Sequence, residues 1–546
     1  MNTGNVKRVL LLCLMVSIVV MAEIYFYNKK ITIEIPHLFY TKGPIKTVAY
    51  LISYFSSLVF IAAFIFFRSR LLFTITLILF SVSYYVATCY VLINGYGFGL
   101  AELQILSNEA SKHATDAIDT YSQPFIHSAI ILTIIIGLLL AARLVVYKNN
   151  IFIKNKKVLL IGLFSVVTSF GIAVKTTNTI AKFPTPTHFY NTLAYFKINS
   201  TYYGKREGLF SKPTHEIQYK NIIWIIDESV SAQFLSINGY PKDSTPFLRS
   251  ISHKFKNLGA ASSGANCSAE SNIILMSGIQ LDQLPDHDNY ALKAPSIFQY
   301  AKNAKYTTHY ISGQSYDDAL QNNMTQFDLQ SIDNFYQPEK SYEEKTIPEE
   351  DIIEKTNLAL LNNDRNFIFI VKRGAHFQWE GKYPKNKSHF TPHLEADDVF
   401  DFENKNKAVN SYINLVKYRT DDFFRHFFEK TNTLNDEETL IIYTSDHGQS
   451  ILENEKRGTQ CDSTEPNLSQ GLVPFLIFEN KYAEKFENLG KNRFSHFEIF
   501  PTTLKLMGYS SPKGETIFSK KSDKRVFFSG DIFGRSVANF NEIPSE

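Results

Sequence analysis

Apolar residues are concentrated in the first third of the chain, where they form five long runs separated by short polar segments. The runs cover residues 9–27, 47–67, 71–93, 126–146 and 158–175. Each is long enough to cross a bilayer as a helix, which takes about 20 mostly apolar residues. No small-residue cleavage site follows the first run, so we interpret it as a retained helix rather than a signal peptide. The pattern predicts an N-terminal domain of five transmembrane helices over residues 1–176.

Lys and Arg are unequally distributed between the polar segments that flank these runs. Segments on the side of the N-terminus carry nine of them, and segments on the opposite side carry five. Because basic segments tend to stay in the cytoplasm, the N-terminus is predicted to be cytoplasmic. Five crossings then place everything after about residue 176 outside the cytoplasm.

Residues 177–219 have a mixed pattern and are interpreted as an interfacial linker. Two prolines within Phe183–Tyr190 predict that this part resists a regular helix, because proline lacks a backbone N–H donor. The aromatic, partly amphipathic stretch Asn191–Tyr203 fits either a helix on the membrane surface or a simple linker helix.

From residue 220 onward, short apolar runs alternate with segments of helical periodicity. The predicted helices include Asp351–Leu361 and Lys407–Phe428, and the predicted strands are Ile222–Ile226, Thr307–Ile311, Phe367–Val371, Leu440–Tyr443 and Pro474–Phe478. Such alternation is typical of a mostly parallel sheet covered by helices on both faces. We therefore predict a soluble α/β domain over residues 220–546.

Charge and cysteine content narrow the possible functions only slightly. The formal net charge is +3, and no basic block indicates nucleic-acid binding. Cys13 and Cys89 lie in predicted membrane helices. Cys267 and Cys461 lie in the soluble part and are interpreted as free thiols, with a disulfide between them as the alternative.

Two predicted strands end in acidic residues. One is followed by Asp446 and His447, and the first strand of the α/β domain is followed by Asp227 and Glu228. In open α/β sheets, ligands bind outside the carboxyl ends of the strands. Carboxylates and an imidazole suit zinc or manganese, so a shared metal site is predicted there, with simple capped turns as the alternative. Gly448 is expected to let the chain turn after the pair.

A small-residue loop enters a predicted apolar helix at Ser268. Free amides and the helix dipole favour anions at a helix N-terminus. A metal can ionise a hydroxyl there, and the hydroxyl can then attack phosphorus. Ser268 is therefore either a nucleophile or a plain N-cap, and Cys267 is the rival nucleophile. A third strand leads into a turn that carries His376, which we expect to be functional at the same edge of the sheet.

Several short motifs occur in a definite order along the chain. They are Asp227-Glu228-Ser229, Asn238-Gly239-Tyr240, Thr245-Pro246, Ser268 with Ser271, Gly374-Ala375-His376, Phe390-Thr391-Pro392, Ser445–Gly448, Val473-Pro474-Phe475 and Ser495-His496. In this order they resemble the membrane-bound phosphoethanolamine transferases. That family belongs to the alkaline phosphatase superfamily, together with lipoteichoic acid synthases and sulfatases. Five helices followed by an external catalytic domain is also the family's layout, so the likeness spans nearly the whole chain.

The resemblance implies a catalytic site in the domain 220–546. Its metal ligands would be Glu228, Ser268, Asp446 and His447, holding one zinc ion, with manganese as the alternative. Ser268 would attack the phosphate of phosphatidylethanolamine and form a phosphoserine-type covalent intermediate. The acceptor would be a lipopolysaccharide, at lipid A or a core sugar, or another surface glycan. His376 and Gln314 would bind substrate.

The resemblance also implies a location and an assembly state. The protein would be a multi-pass protein of the inner membrane, with its catalytic domain in the periplasm. We expect a monomer that acts on a lipid donor and does not bind nucleic acid.

Three departures from the family pattern leave a second metal site and the acceptor open. Members that modify lipid A have a histidine shortly after the Asp-His-Gly turn, whereas residues 452–461 contain none. Gln314 is found in the region where a phosphate-binding lysine is expected. The cysteines that brace the nucleophile loop in many relatives are replaced by Ser263 and Ile274.

Three other functions fit parts of the pattern. A phosphoglycerol transferase that uses phosphatidylglycerol would have the same scaffold. A sulfatase that matures a formylglycine needs Cys or Ser followed by x-Pro-x-Arg, and Ser268–Asn272 lacks both residues. A non-catalytic scaffold would account for the missing histidine, but it would not explain the presence of all four predicted ligands.

Overall fold

The computed structural model describes most of the chain, in two compact units. The described residues are 3–27, 35–36, 39–40, 43–94, 98–100, 103, 118, 121–175, 183–198, 204–314, 320–339, 347–362, 364–395, 398–510, 513–519, 525–535 and 537–544. One unit is Met1–Ser200 with Arg535–Val537, and the other is Thr201–Gly534 with Ala538–Glu546. The division near residue 200 falls inside the predicted linker, and the predicted domain limits at 176 and 219 stay predictions.

Six helices of more than ten residues occur in the described part of the N-terminal unit. They are α1 (Thr3–Tyr27), α2 (Pro44–Ala63), α3 (Arg70–Asn94), α4 (Ser122–Lys148), α5 (Asn155–Lys175) and α6 (Thr185–Ile198). Four of them, α2 to α5, are long and apolar enough to cross a membrane, and a 3-10 turn extends α2 to Phe66. The apolar part of α1 is the shorter stretch Leu10–Tyr25. Four of the predicted apolar helices are therefore confirmed, and a fifth crossing stays a prediction.

The segment after the fifth predicted span is helical from Thr185, so the prediction that its prolines prevent a regular helix is wrong. Pro186 lies in the first turn of α6, where a backbone N–H would have no helical partner. Glu23 of α1 accepts hydrogen bonds from the Thr185 N–H and hydroxyl at 2.5 and 2.7 Å, which stabilises this N-terminus. Helix α6 packs against α3 and α5. The membrane-surface location of Asn191–Tyr203 stays a prediction, and its last residues lie outside the described ones.

A seven-stranded sheet forms the centre of the second unit. Its strands are β1 (Asn221–Asp227), β2 (Lys256–Ser262), β3 (Tyr306–Ser312), β4 (Asn334–Tyr336), β5 (Arg365–Val371), β6 (Thr439–Ser445) and β7 (Leu472–Phe478). Their order is β2-β7-β6-β1-β5-β3-β4. All neighbouring pairs from β6 to β4 are parallel, and β7 is antiparallel to both β6 and β2. The predicted mostly parallel sheet is confirmed, whereas β2, β4 and the separate hairpin of β8 (Arg525–Gly530) and β9 (Ala538–Ile543) were not predicted.

Helices cover both faces of the sheet, as predicted. In the described part of this unit they are α7 (Pro246–Ser250), α8 (Ser268–Ser277), α9 (Tyr290–Lys293), α10 (Ile297–Asn303), α11 (Glu350–Leu360), α12 (Lys405–Val416), α13 (Phe423–Thr431), α14 (Ala483–Glu487) and α15 (Ile499–Leu506). Side chains of β1 alternate between the faces. Trp224 lies in a core with residues of α8, α10 and α15, whereas Ile223 and Ile225 lie in a core with residues of α11 and α13.

The long helix predicted over 407–428 is interrupted. Helices α12 and α13 are joined by the π-helical segment Lys417–Asp422. A π-helical turn leaves backbone groups outside the regular ladder, and such turns are frequent at functional sites. Here the Thr420 hydroxyl donates to Asp227 at the end of β1, and the Arg419 carbonyl accepts from Lys372 just after β5.

Cys267 and Cys461 form a disulfide, so the interpretation of both as free thiols is wrong. The two residues are 194 positions apart in sequence, and the fold brings their Cα atoms to 4.7 Å. Sequence spacing could not favour this pair, because their proximity results from loops that enclose the sheet edge. A sulfur in a disulfide is not a thiolate, so Cys267 is also excluded as the nucleophile in this state.

Candidate metal centre

The predicted ligands from two strand ends come together because the strands are neighbours. Strands β1 and β6 run parallel, with Asp227 in register with Ser445. Their carboxyl ends therefore lie side by side. Glu228 follows β1 directly, and Asp446 and His447 follow β6 directly, so the three side chains emerge at the same edge of the sheet.

Glu228, Asp446 and His447 form a compact and buried donor set. His447 Nε2 lies 3.4 Å from Glu228 Oε1 and 3.8 Å from Asp446 Oδ1. One donor atom from each residue lies within 4.8 Å of the other two. Two carboxylate oxygens and an imidazole nitrogen at this spacing suit zinc or manganese.

Ser268 lies at the same point as the three donors. Its Oγ is 3.1 Å from His447 Nε2 and 3.2 Å from Glu228 Oε2. Ser268 is the first residue of α8, so free amides of the first helical turn lie beside the hydroxyl. The structure thus brings together all four predicted ligands, and it places the hydroxyl where both a cation and a phosphate would be stabilised.

The charges in this set strongly perturb one another. Burial raises the pKa of Asp446, and the nearby Glu228 carboxylate raises it further. Burial would lower the pKa of His447, but the Asp446 and Glu228 carboxylates raise it to about 9. Burial would raise the pKa of Glu228, but the hydrogen bond and charge of His447, with a smaller contribution from His376, lower it below its ordinary value. Such opposed shifts are typical of functional sites.

A divalent cation fits the donor set. Asp446 Oδ1 accepts hydrogen bonds from the N–H groups of Ser229 and His447, at 3.0 and 2.7 Å. Asp446 Oδ2 is buried and has no hydrogen-bond partner among the residues that the structure describes. A buried carboxylate oxygen without a donor is costly unless a cation is bound to it. Zinc held here would lower the pKa of the Ser268 hydroxyl and offset negative charge on a phosphoryl group.

Backbone and hydroxyl groups around the donors hold them in place. Ser229 has a left-handed backbone (φ 59°), which is unusual for a serine, and its Oγ donates to Glu228 Oε1 at 2.6 Å. His447 Nδ1 lies 2.7 Å from the Gly448 carbonyl, so the proton on Nδ1 leaves Nε2 free to bind a metal.

His496 links α8 to β6 through Ser271 Oγ and Thr444 Oγ1, both at 3.1 Å. Burial lowers the pKa of His496 to about 3, so its ring is neutral.

Gly448 is needed for a reason other than the predicted turn. Its backbone does not adopt a left-handed conformation. A Cβ at this position would overlap the carbonyl oxygens of Ser469 and Leu472. The Gly448 N–H also donates to Gln470 O at 2.8 Å. The glycine therefore permits close packing of the chain after the pair against residues 469–472.

The two predicted substrate-binding residues lie beside the donors. Gln314 Nε2 donates to Glu228 Oε2 and to Lys372 O, both at 2.9 Å, so this amide orients a predicted ligand. His376 is half-buried and contacts its neighbour's carbonyl, Phe377 O, at 2.5 Å. His376 follows Ala375, whose N–H donates to Glu228 O, so its backbone lies beside Glu228, and its charge contributes to the lowered pKa of Glu228. Direct contact of either residue with substrate stays a prediction.

A second buried cluster, here called the anchor network, lies behind Glu228. It consists of Asp227, Lys372, Thr420 and Tyr443. Asp227 Oδ2 accepts hydrogen bonds from all three other side chains at 2.9 Å. Lys372 is fully buried, also lies 3.8 Å from Glu349 Oε1, and stacks over the Phe423 ring at 4.2 Å. Sequence reasoning assigned no role to Lys372. The sequence did contain an indication of this role. Lys372 directly follows a buried strand, as do Asp227 and Glu228 at the end of another predicted strand.

Gly374 brings the turn after β5 into contact with the end of β1. Its φ is +52°, and a Cβ there would lie 2.5 Å from Asp227 Oδ1 and from the Glu228 N and O atoms. The next residue, Ala375, donates its N–H to Glu228 O at 2.8 Å. The glycine therefore lets the turn that carries His376 pass directly over the Glu228 backbone.

Comparison with known proteins identifies the second unit. The sequence pattern of the sulfatase family matches residues 220–509, more than half of the chain. The chain belongs to the sulfatase family. It is 26% identical over 314 residues to the Kdo(2)-lipid A phosphoethanolamine 7''-transferase of Salmonella typhimurium (strain LT2), covering 54% of this chain and 52% of that protein. The match thus spans about half the length of this curated relative. The chain is also 22% identical over 306 residues to phosphoethanolamine transferase EptC of Escherichia coli (strain K12). That match covers 53% of this chain and 51% of EptC, again about half of each.

Solved structures show that the fold is shared along most of the chain. The integral membrane lipooligosaccharide phosphoethanolamine transferase A (EptA) of Neisseria meningitidis is similar with a TM-score of 0.61 at 16% identity. This likeness covers 91% of the present sulfatase-family chain and 96% of EptA. The predicted resemblance to phosphoethanolamine transferases is therefore confirmed by the curated relatives, and the α/β fold of the second unit is confirmed by the solved structure.

Proposed function

We propose that this sulfatase-family protein is a zinc-dependent phosphoethanolamine transferase of the inner membrane, with its catalytic unit in the periplasm. The donor is phosphatidylethanolamine, and the acceptor is a lipopolysaccharide, at lipid A or a core sugar, or another surface glycan. The observation that carries the proposal is the position of Ser268 Oγ, 3.1 Å from His447 Nε2 and 3.2 Å from Glu228 Oε2, at the N-terminus of α8. The names of the curated relatives support the transferred group and the acceptor class.

In the first half-reaction, Ser268 Oγ bonds to the phosphorus of phosphatidylethanolamine. The bond from phosphorus to the glycerol oxygen breaks, and diacylglycerol leaves with the proton that Ser268 gives up. Phosphoethanolamine remains as an ester on Ser268. Free amides at the start of α8 would donate to the phosphoryl oxygens and stabilise their negative charge.

In the second half-reaction, a hydroxyl or phosphate oxygen of the acceptor bonds to the same phosphorus. The bond from phosphorus to Ser268 Oγ breaks, and Ser268 regains a proton, from a hydroxyl acceptor or, when an ionised phosphate oxygen attacks, from water. Splitting the transfer into two displacements lets one nucleophile serve a lipid donor and a glycan acceptor in turn. His376, on the turn that passes over the Glu228 backbone, would contact the phosphoryl group in both steps.

Zinc is proposed as the metal, with manganese as the alternative. The imidazole of His447 favours zinc over the harder, oxygen-preferring cations. The zinc complex of the periplasmic domain of Escherichia coli EptC also supports it, because that domain has the same fold, with a TM-score of 0.50 at 17% identity, over 60% of this chain and 94% of its own.

Labelled lipids test the donor and the nucleophile together. The full chain in detergent, loaded with zinc, is incubated with phosphatidylethanolamine or phosphatidylglycerol, and released diacylglycerol is measured. We expect phosphatidylethanolamine to be consumed and the peptide with Ser268 to gain the mass of phosphoethanolamine. Ser268→Ala should abolish both signals. Ser277→Ala is the matched control, because this serine lies at the other end of the same helix, where it donates to Ile273 O at 2.7 Å and accepts from the Ile279 N–H at 3.3 Å.

Each of the other possible outcomes would indicate a different function. Consumption of phosphatidylglycerol alone, with a phosphoglycerol adduct, would make the chain a phosphoglycerol transferase. Steady hydrolysis with water, without transfer to added lipopolysaccharide, would make it a hydrolase. Consumption of neither lipid by the zinc-loaded protein would refute the proposed function. The acceptor is then identified by mass spectrometry of lipid A and core sugars from cells with and without the protein.

A further inference from the structure

Strand pairing aligns three of the predicted ligands but does not align the fourth. Strands β1 and β6 are direct neighbours, so their register sets Glu228 against Asp446 and His447. Strand β2, which leads toward Ser268, is separated from β6 by β7. Because Ser268 follows a loop beyond the end of β2, the sheet register alone does not fix its hydroxyl. Other contacts must hold the nucleophile in line with the donors.

The segment that follows the Asp446–His447 pair returns to the residues just before Ser268. Cys461 forms a disulfide with Cys267, which is the N-cap residue of α8. The Cys461 N–H donates to Asn266 O at 2.9 Å. Cys267 itself makes no side-chain capping hydrogen bond to α8, so the disulfide is the side-chain link of this N-cap residue.

A second set of contacts, made by Asn266, holds the loop that precedes Ser268. Asn266 Nδ2 donates to Asp462 O at 2.9 Å and to Gln470 Oε1 at 2.7 Å. The residue before Cys267 is therefore tied to residues 461–470 in addition to the disulfide. These contacts join the nucleophile loop to the chain that runs on from β6.

The residue before Cys461 reaches a different ligand. Gln460 Oε1 lies 2.9 Å from Ser229 Oγ, and Ser229 Oγ lies 2.6 Å from Glu228 Oε1. The Ser229 hydroxyl therefore lies between two acceptors, the Gln460 amide oxygen and the Glu228 carboxylate, and donates its one proton to either of them. Two consecutive residues of one loop contact two ligand-bearing segments, one covalently and one through a hydrogen bond.

We propose that Cys267, Cys461 and Gln460 form a brace that positions Ser268 and Glu228 for the transfer. They are positioning residues, because none of them is a ligand or a nucleophile. The proposal rests on the proposed role of Ser268 in phosphoethanolamine transfer. A displacement of about 1 Å of a reacting group can cost about 100-fold in rate, so a loop that fixes both residues has a direct effect on turnover. The brace also gives the 452–461 region, which lacks the family's histidine, a function of its own.

The test uses the full chain with Cys13→Ala and Cys89→Ala, so that the only thiols come from the brace. In this background we compare the parent, Cys267→Ala/Cys461→Ala, Gln460→Met and the three changes combined. Cobalt(II) in place of zinc gives a visible spectrum that reports ligand geometry. Competition with a chelator gives zinc affinity, and phosphatidylethanolamine turnover gives kcat and KM.

We expect the cysteine variant to lose about 10- to 100-fold in kcat, with KM nearly unchanged and an altered cobalt spectrum. Gln460→Met should cause a smaller loss in kcat. Because both contacts act through one loop, the combined loss should be less than the product of the separate losses. Reduction of the parent should reproduce the cysteine variant, and reoxidation should restore both kcat and the spectrum. A purely structural disulfide would lower thermal stability without changing the cobalt spectrum of the folded protein.

The outcomes separate this proposal from the proposed function. If reduced or cysteine-free protein keeps the parent's kcat and cobalt spectrum, the brace is refuted even though the enzyme is active. If the parent consumes neither lipid, the proposed function fails, and the cobalt spectra and zinc affinities still decide whether the brace exists. If the cysteine variant does not fold, Gln460→Met decides, because an unchanged spectrum and kcat in that variant would overturn the proposal.

Discussion

Two consecutive acids at the end of β1 have opposite surroundings. Both are buried, with exposed fractions of 0% for Asp227 and 2% for Glu228. Asp227 is paired with the Lys372 amino group and with two hydroxyls of the anchor network. Glu228 instead faces Asp446, a second carboxylate, and shares His447 with it.

The difference between the two acids separates structure from function. A buried charge must be compensated, and at Asp227 the chain supplies the compensating cation itself. At Glu228 the chain supplies more negative charge and leaves Asp446 Oδ2 without a hydrogen-bond partner among the described residues. The donor set is therefore complementary to an exchangeable cation, whereas the anchor network is complete without one. Zinc should therefore change the stability of variants in the donor set differently from that of variants in the anchor network.

The largest effect is expected from Lys372→Met. Removing one partner of a buried ion pair leaves Asp227 uncompensated, so the free energy of unfolding should fall by about 3–5 kcal/mol, with or without zinc. Both tryptophans, Trp224 and Trp379, lie in the second unit, so urea unfolding followed by tryptophan fluorescence measures this change in free energy.

Lys302→Met is the matched control for that experiment. Its pair with Asp333 is half-exposed, with 47% of the Lys302 side chain accessible, and should contribute less than about 1 kcal/mol. Equal effects of the two substitutions, or full rescue of Lys372→Met by zinc, would contradict the separation of the anchor network from the metal centre.

The next largest effect is expected from zinc itself. Free zinc at about 100 times its Kd should raise the free energy of unfolding by about 2.7 kcal/mol, and chelation should remove that gain. Asp446→Asn should abolish the gain, while the zinc-free protein should be no less stable, because a carboxylate close to Glu228 is lost. The same fluorescence assay measures both. A zinc-dependent gain that survives in Asp446→Asn would show that the ion binds elsewhere.

Gly374→Ala tests whether the close contact of this turn with Asp227 and Glu228 supports both the anchor network and the donor set. The new Cβ would meet Asp227 Oδ1 and the Glu228 backbone, so we expect a loss of about 2 kcal/mol in stability together with weaker zinc binding. Gly381→Ala is the control, because its φ is also positive, at +76°, but nothing lies within 4 Å of its Cβ. If both alanines behave alike, backbone strain alone accounts for the effect, and the close approach over Glu228 does not matter.

The smallest effect is expected from a change of one pH unit. Zinc must displace the proton from His447, whose pKa is raised to about 9 in the zinc-free centre. Raising the pH toward 9 removes that proton, so zinc affinity should rise by at least about tenfold, or about 1.4 kcal/mol, per pH unit and level off above pH 9. Titration calorimetry in buffers of different ionisation enthalpy measures the released protons. Affinity that is constant from pH 6 to 8 would mean that His447 is already neutral.

Much of the fold and of the ligand set could be predicted from local pattern. Apolar runs identified four long N-terminal helices and five strands of the central sheet. Both kinds of element need consecutive apolar residues, about 20 in a membrane helix and about five in a buried strand. Polar residues at strand ends identified Glu228, Asp446 and His447, since parallel strands bring their carboxyl ends to one edge. A resemblance in motif order identified the family.

Other features depend on contacts between residues far apart in sequence. The disulfide of Cys267 with Cys461 was predicted wrongly, because nothing in a spacing of 194 residues indicates proximity. The helix from Thr185 was also missed, since its first turn tolerates a proline and is stabilised by Glu23, 162 residues away. The need for Gly448 comes from carbonyl groups that pack against it rather than from its own backbone conformation.

The sequence by itself therefore determined which side chains lie at the edge of the sheet, because strand ends are encoded locally by burial and polarity. Tertiary structure alone decided which of them face each other. Strand order placed His447 against Glu228, while the anchor network gave Asp227 a cation of its own. A loop that closes over the edge brought Cys461 and Gln460 to the two ligand-bearing segments. Pairings of this kind depend on chain topology, which no local pattern of residues encodes.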